Sequence, residues 1–192
     1  MHYLVGISGG LDSTLAAAHL LENGHSVSGA FLRFSDATDP TPARIAAKEL
    51  GIDLHEIDCE EIFDRTVKDY FAKSYAMGRT PNPCVVCNRH VKIALLCDLA
   101  EKLGCDKVIT GHYADIVKTE DGRFAVKRAA DAKKDQSYML WGLSQEQLAL
   151  LEFPLKDQNK DDLRQKAESR NFSAAKSKES MDICFLPEGN YA

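Results

Sequence analysis

None of the apolar runs in the sequence approaches the roughly 20 residues that a helix needs to cross a bilayer, so a membrane-spanning helix is excluded. Positive charge is in deficit: 24 Lys and Arg stand against 29 Asp and Glu, a formal net charge of -5. That excludes a generally basic surface and leaves room only for a local Lys/Arg face that binds nucleic acid. Internal repeats and low-complexity tracts are missing, so neither a repeat array nor a biased linker is in play. The opening Met1-His2-Tyr3-Leu4-Val5 lacks the charged and long apolar regions of a signal peptide. A cytoplasmic location is the expectation, and with it reduced thiols. The six cysteines are Cys59, Cys84, Cys87, Cys97, Cys105 and Cys184. In that compartment they read as buried small apolar residues or as chemistry before they read as a disulfide framework.

What is present describes a globular enzyme-sized domain. The 192 residues are 44% hydrophobic and 28% charged, enough to bury a core within one unit. Residues 3–7 form a short apolar run that ends in Gly-rich sequence, as a buried parallel strand does. Helical spacing follows over 13–23, closed by Asn23-Gly24. Strands are expected at 26–32, 53–57 and 107–110, with helices at 42–50, 60–77 and 89–103. Gly78-Arg79-Thr80-Pro81-Asn82-Pro83 breaks the helical pattern, and Cys84-Val85-Val86-Cys87 is placed in a loop fenced by those prolines. Beyond Tyr113 a hairpin of 115–118 with 124–128 around Asp121-Gly122 is expected, then two helices. Such alternation predicts an α/β fold: a parallel sheet of about five strands with helices on both faces, right-handed crossovers and a small helical C-terminal appendage. Residues 1–192 form one domain on this reading, with 113–192 its less regular, substrate-facing part. Ligands in such sheets sit at the carboxyl ends of strands, where 8–12, the region after Leu32 and Gly111-His112 all fall.

Gly6-Ile7-Ser8-Gly9-Gly10-Leu11-Asp12-Ser13 joins the first strand to the first helix. Its glycines let backbone N–H groups close on an anion, and the helix adds its positive N-terminal end. Asp12 and Ser13 suit either a Mg²⁺ ion or a helix cap. The loop has no Gly-Lys-Ser/Thr and no Gly-x-Gly-x-x-Gly, so it is neither a Walker A nor a dinucleotide fingerprint. Ser-Gly-Gly-x-Asp-Ser after a strand resembles the PP-loop of ATP pyrophosphatases, which cleave ATP between the α and β phosphates. Cys84-Val85-Val86-Cys87 alone suits structural zinc, a redox pair or a cluster. No second Cys-x-x-Cys exists to close a zinc site without His90 or His112. Cys59, Cys97 and Cys105 read as core residues.

Four further stretches make the resemblance specific. Residues 78–89 (Gly-Arg-Thr-Pro-Asn-Pro-Cys-Val-Val-Cys-Asn-Arg), Thr110-Gly111-His112-Tyr113, Lys134-Asp135-Gln136-Ser137-Tyr138 and Asp182-Ile183-Cys184-Phe185 occur in the order seen in tRNA-specific 2-thiouridylases. The resemblance runs from Gly6 to about Tyr191 and implies an ATP-dependent sulfurtransferase that adenylates O2 of the wobble uridine and replaces it with sulfur. It implies that Gly6 to Ser13, Leu32 and Gly111 hold ATP, with Asp12 and Mg²⁺ serving the reaction. Cys184 is implied as the persulfide carrier and Cys87 as the thiol that attacks the persulfide or closes a disulfide with it. Asn82, Pro83 and Cys84 are implied to meet the target base, and Lys134, Asp135 and Gln136 the tRNA, with Lys134 and Arg128 able to steer RNA phosphate. A cysteine desulfurase or relay protein would supply sulfur.

Two departures qualify this reading. Position 84 is commonly Asp in the family and is Cys here; Cys84, Cys87 and Cys184 would then suit a [4Fe–4S] cluster with one open iron, or Cys84 is a spare thiol in the persulfide relay. The chain also stops at Ala192, short of the family's central linker and C-terminal β-barrel domains, as a catalytic fragment or as a short natural form that needs a partner. The alternatives are a PP-loop thiolase for a small molecule or another RNA base, and a sulfur or iron–sulfur carrier with only regulatory ATP binding.

Overall fold

In a computed structural model, residues 1–156, 160–177 and 183–186 are described, the side chains of 160–163 excepted. The chain runs β1 (His2–Gly6), α1 (Leu11–Glu22), β2 (Ser26–Arg33), α2 (Thr41–Leu50) and β3 (Leu54–Asp58). It continues through α3 (Glu60–Phe63), α4 (Asp69–Ala76), α5 (Pro83–Cys87), α6 (Ile93–Lys102) and β4 (Lys107–Ile109). A hairpin, β5 (Ala114–Lys118) and β6 (Phe124–Arg128), precedes α7 (Gln145–Leu150), β7 (Leu151–Glu152) and α8 (Lys160–Ser169).

Five strands form a wholly parallel sheet in the order β3-β2-β1-β4-β7, and β5 pairs antiparallel with β6. The period of two along each strand sorts its side chains onto opposite faces. Tyr3, Val5, Val27, Phe31 and Ile109 enter one core with Leu11, Leu15, Leu20 and Ala46. Leu4, Ala30, Leu32 and Val108 enter a second with Phe63, Val67, Val91, Ile93, Leu96 and Leu148. Both faces are therefore covered by helices, and the central strands read as unbroken apolar runs for that reason. Leu4, Val5 and Val108 are fully buried, each worth about 1.5–3 kcal/mol of transfer free energy.

From β1 the chain builds outward to β3, then returns to lay β4 on the other side of β1. The carboxyl ends of β1 and β4 thus face each other across the point where the strand order reverses, the usual place for a ligand in an open parallel sheet.

Two local features depart from the expected pattern. The helix expected over 60–77 is interrupted by a π turn, Asp64–Lys68, between α3 and α4. A second π turn, Asn88–Lys92, joins α5 to α6. The Cys-x-x-Cys segment is accordingly helical and not a loop. Pro83 occupies the first helical turn, where its missing N–H costs nothing, and the Asn82 side chain accepts the Val85 N–H at 3.4 Å as an N-cap. The prolines that fence this segment start a helix here. The fifth parallel strand, β7, is two residues long, too short to show in sequence periodicity.

Candidate active site

The phosphate loop sits where the sheet order predicts. Gly9 has φ +79°, and a Cβ there would lie 2.4 Å from the carbonyl carbon of Pro42, so only glycine fits between this turn and the start of α2. Gly10 precedes α1 with extended backbone. Ser13 Oγ closes the loop: it accepts the Ser8 N–H at 3.2 Å and donates to the Gly10 carbonyl at 3.1 Å. The result is a backbone concavity at the positive end of a twelve-residue helix, which suits a polyphosphate. Asp12 lies half-buried beside it.

The loop after β4 closes the other side. A Cβ on Gly111 would stand 3.0 Å from Asp12 Cβ and 3.1 Å from the Ser13 nitrogen. Tyr113, next along, is 3% exposed and donates its hydroxyl to Asp12 Oδ1 at 2.8 Å. His112 is buried with Nδ1 2.7 Å from Thr110 Oγ1; burial and then the nearby Lys92 charge lower its pKa well below the ordinary value, so it is neutral. Leu32, expected at the adenosine, lies at the carboxyl end of β2 with its side chain in the second core. Of the residues expected at the nucleotide, Ser8, Gly9, Gly10 and Ser13 form the turn and Gly111 packs on Asp12 and Ser13; Gly6 ends β1, Ile7 and Leu11 are buried in the first core, and Leu32 lies in the neighbouring strand.

The sulfur residues gather on the other face. Cys84 and Cys87 are half-buried on α5, and Cys184 is exposed. Phe185 anchors that last segment: its ring meets Phe63 at 5.6 Å and Phe71 at 5.3 Å, both edge-on. Residues 178–182, including Asp182 of the expected motif, and 187–192 lie outside the described residues. Burial raises the pKa of all three thiols, Cys87 to about 11. The opposing influence on each is Lys92, which closes the second π turn. Lys92 is itself depressed by burial and raised by Cys87, Cys84 and Cys184 in turn. A π turn carries one residue more per turn than an α turn and is common at functional sites. Here the Arg89 carbonyl accepts from Gln147 Nε2 at 2.8 Å, and Lys92, the last residue of the turn, lies within electrostatic reach of all three sulfurs. Lys92 was not legible as a site residue; a lysine five positions after Cys87 in a helical stretch reads as a solvated surface charge.

Among the described residues no group of three His, Cys, Asp or Glu side chains is arranged to hold a metal ion. Cys84, Cys87 and Cys184 lie within electrostatic reach of one another and of Lys92. Cys59 is core, as expected: it is buried, donates to the Arg33 carbonyl at 3.1 Å, and burial lifts its pKa to about 12. Cys97 and Cys105 are half-buried against the second core.

Between these two halves lies the 134–142 segment. The Asp135 carboxylate accepts the Ala129 N–H at 2.9 Å and the Ser137 hydroxyl at 2.7 Å, fixing the loop from within. Gln136 Oε1 accepts the Tyr113 N–H at 3.1 Å while the Gln136 N–H donates to the Tyr113 carbonyl at 2.8 Å. Asn88 Nδ2, beside Cys87, donates to the Met139 carbonyl at 3.2 Å. Asp115, Lys127, Arg128 and Lys156 line a groove of net positive charge, with Lys156 paired to Asp115 at 3.0 Å, and Tyr138 and Trp141 are exposed.

The chain thus combines a strand–glycine loop–helix turn after β1 with cysteines on α5 and beside Phe185. Residues 1–188 match the family described as tRNA methyl transferase HUP domain. The chain belongs to that family. Within curated proteins it is 45% identical over 201 residues to a tRNA-specific 2-thiouridylase of Chloroflexus aurantiacus, covering 98% of this chain and 56% of that relative. It is 43% identical to a tRNA-specific 2-thiouridylase of Treponema denticola, covering 100% of this chain and 56% of that one. The chain thus spans about half the length of the curated relatives it matches. A solved 4-thiouridine synthetase–RNA complex with bound ATP superposes with TM-score 0.65 at 16% identity, over 91% of this chain and 42% of that one. The NMN synthetase of Francisella tularensis does so with TM-score 0.59 at 16% identity, over 93% and 66%. Those two establish the fold alone. Among the described residues no helix is long and apolar enough to cross a membrane.

Proposed function

We propose that this domain is the catalytic part of an ATP-dependent sulfurtransferase that makes 2-thiouridine at the wobble position of tRNA. The observation that carries the reading is spatial: Tyr113 bonds Asp12 in the phosphate loop and is held by Gln136, and three residues further on the Met139 carbonyl accepts from Asn88, the neighbour of Cys87. Membership of the family and the 2-thiouridylase relatives support it.

In the first step O2 of the uracil attacks the α-phosphorus of ATP, and pyrophosphate leaves from the cradle of Gly9, Gly10 and the α1 N-terminus. Asp12 would hold Mg²⁺, and such an ion would supply positive charge to offset that on the pyrophosphate. The adenylated O2 is now a good leaving group. In the second step the terminal sulfur of a Cys184 persulfide, loaded by an external sulfur-donor protein, attacks C2 and AMP departs. In the third the Cys87 thiolate attacks Cys184 Sγ; the S–S bond breaks with its electron pair passing to the sulfur on C2, which remains as the thiocarbonyl. A Cys87–Cys184 disulfide is left, and an external dithiol reductant opens it. Sulfur nucleophiles react as anions, and Lys92 is the charge that favours anionic sulfur in this otherwise apolar pocket. Asn82, Pro83 and Cys84 at the start of α5 meet the base, and Lys134, Gln136 and the basic groove meet RNA phosphates. Cys84, within electrostatic reach of Cys184, forms no covalent bond in these steps.

The test is substitution of Cys184 by Ser, with AMP and 2-thiouridine both measured. Thiolation should disappear while RNA-dependent AMP formation persists. Equal loss of both shows that Cys184 has another role, and release of ADP shows that the cleavage is not at the α-phosphate.

A further inference from the structure

The hydrogen bonds around Tyr113 connect three parts of the site that no single element contains. Its hydroxyl holds Asp12 Oδ1 at 2.8 Å, in the phosphate loop. Its main chain is gripped on both sides by one residue: Gln136 Oε1 accepts the Tyr113 N–H at 3.1 Å, and the Gln136 N–H donates to the Tyr113 carbonyl at 2.8 Å. Three residues beyond Gln136, the Met139 carbonyl accepts from Asn88, which follows Cys87 directly. Asn88 is 3% exposed and Tyr113 likewise, so these bonds are shielded from competing water. The backing is stiff as well. Gly111 packs so closely on Asp12 and Ser13 that even one added carbon would stand 3.0 Å from Asp12 Cβ.

We propose that Tyr113 and Gln136 are positioning residues forming a bridge that couples the nucleotide loop to the 134–142 segment and, through Met139 and Asn88, to the helix that carries the thiols. A carboxylate that must take up a magnesium ion cannot reorient at Asp12 without moving the Tyr113 hydroxyl. Tyr113 cannot swing away alone, because Gln136 holds its main chain at both the donor and the acceptor. Nucleotide occupancy therefore changes the position of Gln136 and of the residues after it. Coupling between two sites is reciprocal, so a ligand on the 134–142 segment strengthens nucleotide binding in return. That second ligand is RNA if the proposed function holds, and this part of the inference rests on that reading. ATP would then be committed mainly when RNA is seated beside the sulfur.

The sequence supplies its own probe. Trp141 is the single tryptophan, 74% exposed, and lies within the coupled segment. Adding Mg²⁺ and ATP to the 192-residue protein should change the Trp141 emission along a saturable curve that parallels binding measured by calorimetry. In Tyr113→Phe, compared at saturating ATP, the emission change should fall to less than half. Gln136→Ala breaks the bridge from its other end and should do the same, and it decides the matter if the Tyr113 variant does not fold. With an anticodon stem-loop RNA present, ATP binding to the original protein should tighten about fivefold or more, and less than twofold in either variant. An emission change that is absent in the original protein, or retained in both variants, overturns the bridge. If the RNA does not bind at all, the RNA reading fails while the ATP-dependent Trp141 signal still decides the bridge.

Discussion

Replacing Gly9 by Ala isolates the feature on which the proposed nucleotide binding rests. A Cβ at position 9 would meet the carbonyl carbon and Cβ of Pro42 at 2.4 Å and the Ala43 nitrogen at 2.7 Å, about 1 Å inside ordinary contact. The backbone φ of +79° adds a second cost, since a left-handed conformation disfavours Ala by roughly 1–2 kcal/mol. Forcing an extra carbon into packed backbone costs typically about 1–3 kcal/mol. If the loop holds its shape, the variant loses about 2–5 kcal/mol; if the loop gives way, stability recovers and the anion cradle is lost. Gly24→Ala is the matched control: its φ is +75° and nothing lies within 4 Å of the added carbon, so it carries the conformational cost alone. At about 2–4 °C per kcal/mol for a chain of this size, Gly24→Ala should lower Tm by roughly 2–8 °C and leave Mg·ATP affinity intact. Gly9→Ala should either fall well below that Tm or bind ATP at least about tenfold more weakly by calorimetry. Equal melting temperatures with equal ATP affinity in the two variants would refute the cradle.

Three further outcomes follow from the geometry. Lys92→Met should slow the reaction of Cys84, Cys87 and Cys184 with a disulfide reagent at pH 7.5, because the cation that lowers all three thiol pKa values is lost; mass spectrometry should find Cys97 unaffected, and Lys92→Arg should restore most of the rate. Cys59 is expected to make the fold alkali-sensitive. Above about pH 9 the unfolded thiol ionises, while the folded one stays protonated up to about 12; the folded state binds more protons in that window, so stability falls as pH rises through it. Chemical denaturation from pH 8 to 11 should show that slope, and Cys59→Ala should make it shallower, the remainder coming from Cys87 and Cys97, each raised by burial to about 11. Removing the ring of Phe185, which meets Phe63 and Phe71, should cost about 1–3 kcal/mol in the docking of the Cys184 segment. Sulfur transfer should drop while AMP formation is retained; equal loss of both would show that Phe185 supports the nucleotide half.

The elements that were legible in sequence are those whose signal is repetitive or chemical. Val5, Leu4 and their neighbours form a continuous apolar run because both sheet faces are covered, and Ser8 to Ser13 carries a loop whose glycine spacing the backbone demands. The hairpin around Asp121-Gly122 fell where turn chemistry placed it. The errors have specific causes. Pro83 was read as a breaker, yet at the first helical position it starts α5. The π turns insert one residue each and shift every later side chain around the helix axis, so a 3.6-residue period places Lys92 on the wrong face. The link from Asp12 to Tyr113 spans 101 positions, and the grip of Gln136 on Tyr113 is made largely by backbone, which leaves no trace in residue type. The close approach of Phe185 to Phe63 and Phe71 is likewise tertiary.

The most direct test incubates the protein with Mg·ATP, unmodified tRNA and a persulfide donor, and counts AMP, pyrophosphate and 2-thiouridine in the same sample. One AMP and one pyrophosphate should form per 2-thiouridine, with nucleotide cleavage rising at least tenfold when tRNA is added. ADP in place of AMP, or AMP and pyrophosphate formed with tRNA while no uridine acquires sulfur at C2, would contradict the account.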